Sequence, residues 1–102
     1  MAFLVEVTDK ALADAEEYFK YLLANSNDAE VADVWSRGLD DAFASLESMP
    51  ERCARVREQE FTNLQLRQVL YHSHRIVFEI RKPDHVVRVL RVYHSSRKPF
   101  TI

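Results

Sequence analysis

The side chains with chemistry to offer crowd into the second half of this 102-residue chain: all four histidines, both His72 and His74 beside a short strand-like run, His85 and His94, and nine arginines. An arginine presents a planar, permanently charged fork suited to phosphate or carboxylate. A histidine exchanges protons near working pH, because its unperturbed value is about 6.5. His94 follows Arg91 and Tyr93 directly, so a proton carrier, a cation and an aromatic ring lie within four positions. Arg52, Arg55 and Arg57 share one irregular basic stretch, while Arg67, Arg75 and Arg91 sit in apolar runs. Residues 51–102 carry eleven basic against five acidic side chains, a balance of +6, and residues 1–50 carry three against eleven, a balance of −8. The net charge of −2 therefore hides a dipole, and the second half is suited to an anionic partner. Cys53 has no second cysteine with which to form an internal disulfide or a CxxC ligand pair, so neither a disulfide nor a zinc centre is expected, and no cofactor is implied.

The elements that must position these residues follow from hydrophobic spacing. Phe3 to Val7 is a short, partly buried strand with two β-branched valines. Thr8 and Asp9 are good helix caps, and Leu12, Ala15, Phe19, Leu22 and Leu23 then recur at helical spacing, which predicts a helix over 9–24. The polar break Asn25-Ser26-Asn27-Asp28 opens a second helix whose apolar stripe is Val31, Trp35, Leu39, Ala42, Phe43 and Leu46, ending at Pro50. Gly38 lies inside that stripe and suggests close approach to the first helix. From Glu51 to Asn63 the periodicity is lost, as in a loop or a frayed short strand. Three strands follow over 64–71, 75–81 and 86–93, joined by His72-Ser73-His74 and Lys82-Pro83-Asp84-His85. His72, His74 and His85 then fall in turns and read as solvent-exposed.

The expected fold class is α+β: an N-terminal strand, an antiparallel helical hairpin, then a three-stranded antiparallel meander, in the order β-α-α-β-β-β. One domain accounts for all 102 residues. No apolar run approaches the roughly 18 residues of a membrane span, and the basic start and long apolar stretch of a signal peptide are absent, so a cytoplasmic, membrane-free protein is expected. Side chains alternate along a strand, so Ile76, Phe78 and Ile80 face the helices. Strict alternation makes Leu90 and Val92 their mates and leaves Val87, Val89, Arg91 and Tyr93 on the opposite face with Arg75. Arg67 joins that face if its register allows. The plainer reading is that these arginines only solvate an open sheet.

The strings Leu66-Arg67, His74-Arg75-Ile76-Val77-Phe78-Glu79-Ile80 and Val89-Leu90-Arg91-Val92-Tyr93-His94-Ser95-Ser96-Arg97, in that order, resemble the RelE/ParE superfamily of toxins from bacterial type II toxin–antitoxin, or plasmid stabilisation, modules. The Thr8 to Ala11 start and Leu46-x-x-Met49-Pro50 at the end of the second helix resemble the family's helical hairpin. The resemblance implies a cytoplasmic toxin held by a cognate antitoxin in a hetero-oligomer. It also implies one of two activities on a shared fold: inhibition of DNA gyrase, as in ParE-like members, or ribosome-dependent mRNA cleavage, as in RelE-like members.

A metal-independent endoribonuclease needs a base, a phosphorane stabiliser and an acid. The resemblance assigns Arg75 and Arg97 to phosphate; by its own chemistry His94 suits proton transfer and Tyr93 suits stacking or proton donation, set against the plainer reading that His94 ends a strand and bonds backbone. Arg52, Arg55, Arg57, Arg67 and Arg91 are the remaining anion- or target-binding candidates. Well-known RelE-type nucleases carry lysines in the region 51–68, where this chain has only arginines, and arginine is a poor proton-transfer group. The gyrase reading is favoured on that ground, and whether the protein is an enzyme stays open. An inactive toxin fold that only binds antitoxin is a further alternative. Leu22, Leu23, Val56 and Phe61 are candidates to hold the antitoxin, set against the plainer reading that they complete a small core.

Overall fold

The computed structural model describes residues 2–56 and 66–94. Strand β1 (Leu4–Val7) leads into helix α1 (Asp9–Asn25), helix α2 (Ala29–Ser45), a 3₁₀ turn (Pro50–Arg52) and strands β2 (Ala54–Arg55), β3 (Leu66–Tyr71), β4 (His74–Arg81) and β5 (Val86–His94). The five strands form one mixed sheet in the order β1-β5-β4-β3-β2. The meander is antiparallel, and β1 lies parallel to β5, in register from Leu4 opposite Val86 to Val7 opposite Val89. The stretch before β3 expected to be a loop or frayed strand contributes, where it is described, the two-residue strand β2 at the sheet edge.

Both helices start where cap chemistry places them. The Thr8 side chain accepts a hydrogen bond from the Ala11 N–H at 3.2 Å, and the Asp28 carboxylate accepts one from the Glu30 N–H at 2.9 Å. Most of the apolar stripes of α1 and α2 cover one face of the sheet, but Leu12, Leu23 and Val31, expected in those stripes, are exposed. Ala11, Trp35, Leu39, Phe43 and Leu46 meet Ile76, Phe78, Ile80, Val87, Val89 and Val92 in the main core. Burying each large aliphatic or aromatic side chain there contributes roughly 1.5–3 kcal/mol over leaving it exposed.

Val87 and Val89 were expected on the open face and lie in the core instead. The cause is a β-bulge. Val77 pairs with Arg91 but Phe78 pairs with Val89, so Leu90 is an extra residue and the strand changes phase there. Leu90 consequently packs against Val56, Leu66 and Val77 on the side away from the helices, not with Ile76 and Phe78. Val92 keeps its expected place in the core. The β3 register puts Arg67 opposite Phe78, which directs it to the helix side and removes it from the Arg75 face.

Gly38 serves β3, not α1. A methyl group there would overlap the Tyr71 hydroxyl and bring ring carbons to 3.1 and 3.3 Å. That hydroxyl donates to the Trp35 carbonyl at 2.8 Å, so the glycine lets a strand tyrosine bond to the backbone of α2. The β3–β4 loop is only His72-Ser73. His72 takes the left-handed conformation (φ 51°), and His74, expected in a turn, is the first residue of β4 and is 4% exposed.

Two predictions follow from the Tyr71 contact. Gly38→Ala, which helix propensity alone would favour by up to about 1 kcal/mol, is expected to destabilise the fold by about 1–3 kcal/mol in urea unfolding because the site is overpacked. The Gly38→Ala/Tyr71→Phe double variant should cost less than the sum of the single variants; strict additivity would show that the hydroxyl is not the obstacle. Burial, with the field of Asp41 behind it, raises the Tyr71 phenol above the ordinary tyrosine value. The unfolded chain then releases this proton first, so the contribution is complete below pH about 10 and is lost as pH rises toward the folded-state value. Thermal unfolding across this range should show a shallower alkaline decline for Tyr71→Phe than for the parent.

Candidate functional site

On the sheet face away from the helices, Arg75 lies opposite Tyr93 across β4 and β5. Arg75 is 3% exposed, and its guanidinium donates to Gln68 Oε1 at 3.1 Å and lies 5.3 Å from the centre of the Tyr93 ring. The Arg91 guanidinium is 5.5 Å from the same ring. Tyr93 is thus flanked by two cations, an arrangement its π-face favours. Arg91 reaches the edge of β5, where its Nε and Nη2 donate to the two oxygens of Asp14 at 2.7 and 2.9 Å. Asp14 Oδ2 also accepts the Val92 backbone N–H at 3.0 Å. These bonds raise Arg91 above an arginine's ordinary value, against the opposing effect of partial burial.

His94 is on the other side of the sheet. It lies opposite His74, with ring centroids 5.2 Å apart, and His74 in turn meets the rings of Tyr18 at 4.3 Å and Trp35 at 5.6 Å. A cleft of about 370 Å³ opens here, lined by Asp14, Glu17, Tyr18 and Tyr21 of α1 and by His74, Val92 and His94 of the sheet. Sequence reasoning placed His74 in a turn and overlooked this cleft. Its signal was present in α1, where residues 14, 17, 18 and 21 follow helical spacing and form a polar, aromatic stripe beside the apolar one.

The assigned nuclease set is therefore divided. Arg75 and Tyr93 face one way and His94 the other, while Arg97 lies outside the described residues. Neighbours in a strand point to opposite faces, so this separation was legible in the numbers 93 and 94 and in 74 and 75.

The remaining arginines separate by their partners. Arg81 meets Asp84 at 3.5 Å and Arg88 meets Glu6 at 3.6 Å, and both are exposed pairs of small energetic worth. Arg52, Arg55 and Arg67 gather at the β2 edge. Arg55 pairs directly opposite Arg67, whose guanidinium donates to the Cys53 carbonyl at 3.0 Å, and Arg52 lies 3.5 Å from Cys53 Sγ. Two like charges in register repel, a cost of a few tenths of a kcal/mol or more. An anion bound there would relieve it. Arg57 lies outside the described residues. Of the apolar candidates, Val56 is buried in the second cluster, Leu22 packs against the main core, Leu23 is 45% exposed and Phe61 is outside the described residues.

Residues 5–99 match the family model of the ParE toxin of type II toxin–antitoxin systems, parDE. Among solved structures, the chain is similar to the chromosomal ParDE system from P. aeruginosa, with a TM-score of 0.72 at 14% identity, covering 91% of this chain and 96% of that one. It is also similar to the RelBE2 toxin–antitoxin complex from Mycobacterium tuberculosis, with a TM-score of 0.63 at 17% identity and 95% of each chain covered. The archaeal RelE–RelB complex from Pyrococcus horikoshii matches with a TM-score of 0.57 at 17% identity, over 96% of this chain and all (100%) of that one. At these identities the structural likeness establishes the fold. No curated protein matches the chain in sequence.

Asp14→Ala removes the acceptor of three hydrogen bonds and leaves Arg91 without its carboxylate. A loss of about 2 kcal/mol is expected in denaturant unfolding, allowing for partial solvent exposure. Hydrogen exchange at the Val92 amide should accelerate in the same variant, and unchanged exchange would remove the edge-capping role from Asp14.

Proposed function

The chain belongs to the ParE toxin family of type II toxin–antitoxin systems, and from that premise we propose that it acts by inhibiting DNA gyrase and not by cutting mRNA. The observation that carries the choice is the division of Arg75 and Tyr93 from His94 across the sheet. Cleavage without a metal requires the group that moves the 2′-hydroxyl proton and the cation that stabilises the phosphorane to reach the same phosphate. A strand that sends His94 to the helix side and Tyr93 to the open side does not bring them to one phosphate. The burial of Arg75 further suits a structural cation better than a substrate contact.

A toxin that works by occupying a protein target needs a recognition surface and no reaction centre. The Arg52, Arg55 and Arg67 edge supplies a local positive field for that encounter, and Arg57 belongs to the same stretch of sequence. The partner that restrains the toxin is a cognate antitoxin. The ParDE and RelBE relatives are toxin–antitoxin systems or complexes, which supports a hetero-oligomer here as well. Among the apolar antitoxin-contact candidates, Leu23 is the described residue with substantial exposure. The expected compartment is the cytoplasm, where gyrase and its DNA are found. No helix of the described residues is long and apolar enough to cross a membrane.

Induced expression without antitoxin should arrest growth, and purified toxin should inhibit gyrase supercoiling while leaving ribosome-bound mRNA intact. Arg52→Glu/Arg55→Glu should weaken gyrase inhibition by about tenfold or more while unfolding at an unchanged denaturant midpoint. Ribosome-dependent mRNA cuts that are lost in both Arg75→Ala and His94→Ala would reverse the assignment in favour of the nuclease.

A further inference from the structure

The α1–β5 cleft is not used by the proposed gyrase reading, and its chemistry has a definite sign. Asp14 and Glu17 bring two carboxylates to it, and among the described residues no lysine or arginine lines it. Arg91 is the nearby cation: it binds Asp14 bidentately and also feels the field of Glu17. Two carboxylates against one guanidinium leave a local balance of −1. The Tyr18 and Tyr21 rings are stacked 5.5 Å apart on the helix side, and the His74 and His94 rings stand edge-on to each other across from them. Aromatic faces with one uncompensated carboxylate form a site for a cation on an apolar stem. A phosphate or carboxylate ligand would be repelled.

The protein itself uses this chemistry a few ångströms away, where Arg91 combines a bidentate carboxylate with the face of Tyr93. A volume of about 370 Å³ is at the small end of ligand sites, enough for an anchoring side chain and its neighbours. The surroundings favour a peptide over a free solute. Helices α1 and α2 present an acidic exterior in a half of the chain whose balance is −8, so a basic segment approaching the cleft would be attracted along its length.

We propose that this cleft receives an arginine or lysine side chain of the antitoxin, with Glu17 as its counter-ion and Tyr18 and Tyr21 against its stem. This proposal rests on the toxin–antitoxin reading, and it assigns that partner a specific anchor. Glu17 is exposed and occupies a helix position where substitution leaves the core intact. Glu17→Lys should weaken antitoxin binding by about tenfold or more, mainly through faster dissociation, and reduce its salt dependence. In cells, Glu17→Lys toxin should arrest growth at an antitoxin level that neutralises the parent, with gyrase inhibition by the free toxin unchanged.

A second measurement separates this proposal from the reading beneath it. Titration of the antitoxin-free toxin with N-acetyl-arginine amide should shift the ring resonances of His74, His94 and Tyr18, whereas the norleucine and glutamate analogues should not, and Glu17→Lys should abolish the shifts. Absence of shifts with the arginine probe overturns the cation site. Shifts with the probe but unchanged antitoxin affinity in Glu17→Lys would assign the site to small cationic solutes and overturn the antitoxin anchor. Failure of the parent toxin to bind its antitoxin would refute the toxin–antitoxin reading itself, while the probe titration still decides the chemistry of the cleft.

Discussion

One carboxylate, Asp14, stands where the sheet changes its neighbour. Up to Val89, β5 has β1 along its outer side. Beyond that point its backbone would be a bare edge, open to pairing with any extended chain. Three contacts from the start of α1 take over the ladder: the Thr8 N–H donates to the Val89 carbonyl at 3.0 Å, the Thr8 hydroxyl donates to the Leu90 carbonyl at 3.2 Å, and Asp14 accepts the Val92 N–H at 3.0 Å. The helix is thereby fixed to the sheet by polar groups at its side as well as by apolar groups on its face. The position of α1 sets that of α2, which brings Trp35 over His74 and Gly38 against Tyr71. The same carboxylate absorbs the charge of Arg91, so one side chain determines both how the sheet ends and which cations remain available.

The elements themselves were legible in the sequence. Thr8 and Asp28 cap the helices at the expected positions, and the helical stripes of Trp35, Leu39 and Phe43 are buried as their spacing requires. Uninterrupted alternation does not describe β5, because of the bulge. The run from Val86 to Val92 nevertheless carries its mark: apolar residues at 87 and 89 and again at 90 and 92 are two alternations out of phase by one residue. No regular strand can bury both sets on one face. The extra residue resolves the conflict by giving Leu90 to the second cluster. What the sequence does not carry is the Tyr71 contact with α2, which joins residues 36 positions apart through a glycine whose purpose depends on a register unknown beforehand.

The charge asymmetry was equally visible, but its meaning changed on folding. A +6 half need not produce a strongly basic surface, since the folded chain sets two of its arginines beside acids from the other half. Arg88 with Glu6 joins the two halves across the β1–β5 seam, and Arg91 with Asp14 joins them between β5 and α1. Arg75 is held under Tyr93 beside Gln68. At the β2 edge Arg55 and Arg67 face each other in register, and among the described residues no carboxylate pairs with them. Counting charge along the chain located the dipole in sequence but could not locate it in space, because ion pairing across distant segments is a property of topology.

The parity of the last strand also decides which side chains can share a face. The bulge at Leu90 sets which of the following residues face the helices: Val92 and His94 lie on the helix side, whereas Tyr93 lies on the open side and Arg91 starts there and reaches round the edge of β5 to Asp14. On the open face, positions 91, 93 and 77 are neighbours of Arg75 along β4 and β5. In this chain those positions hold an arginine tied to Asp14, a tyrosine flanked by two guanidinium groups and a fully buried valine. The surroundings of Arg75 on the open face are therefore cationic and aromatic, and His94 lies in the cleft beside α1 against the ring of His74.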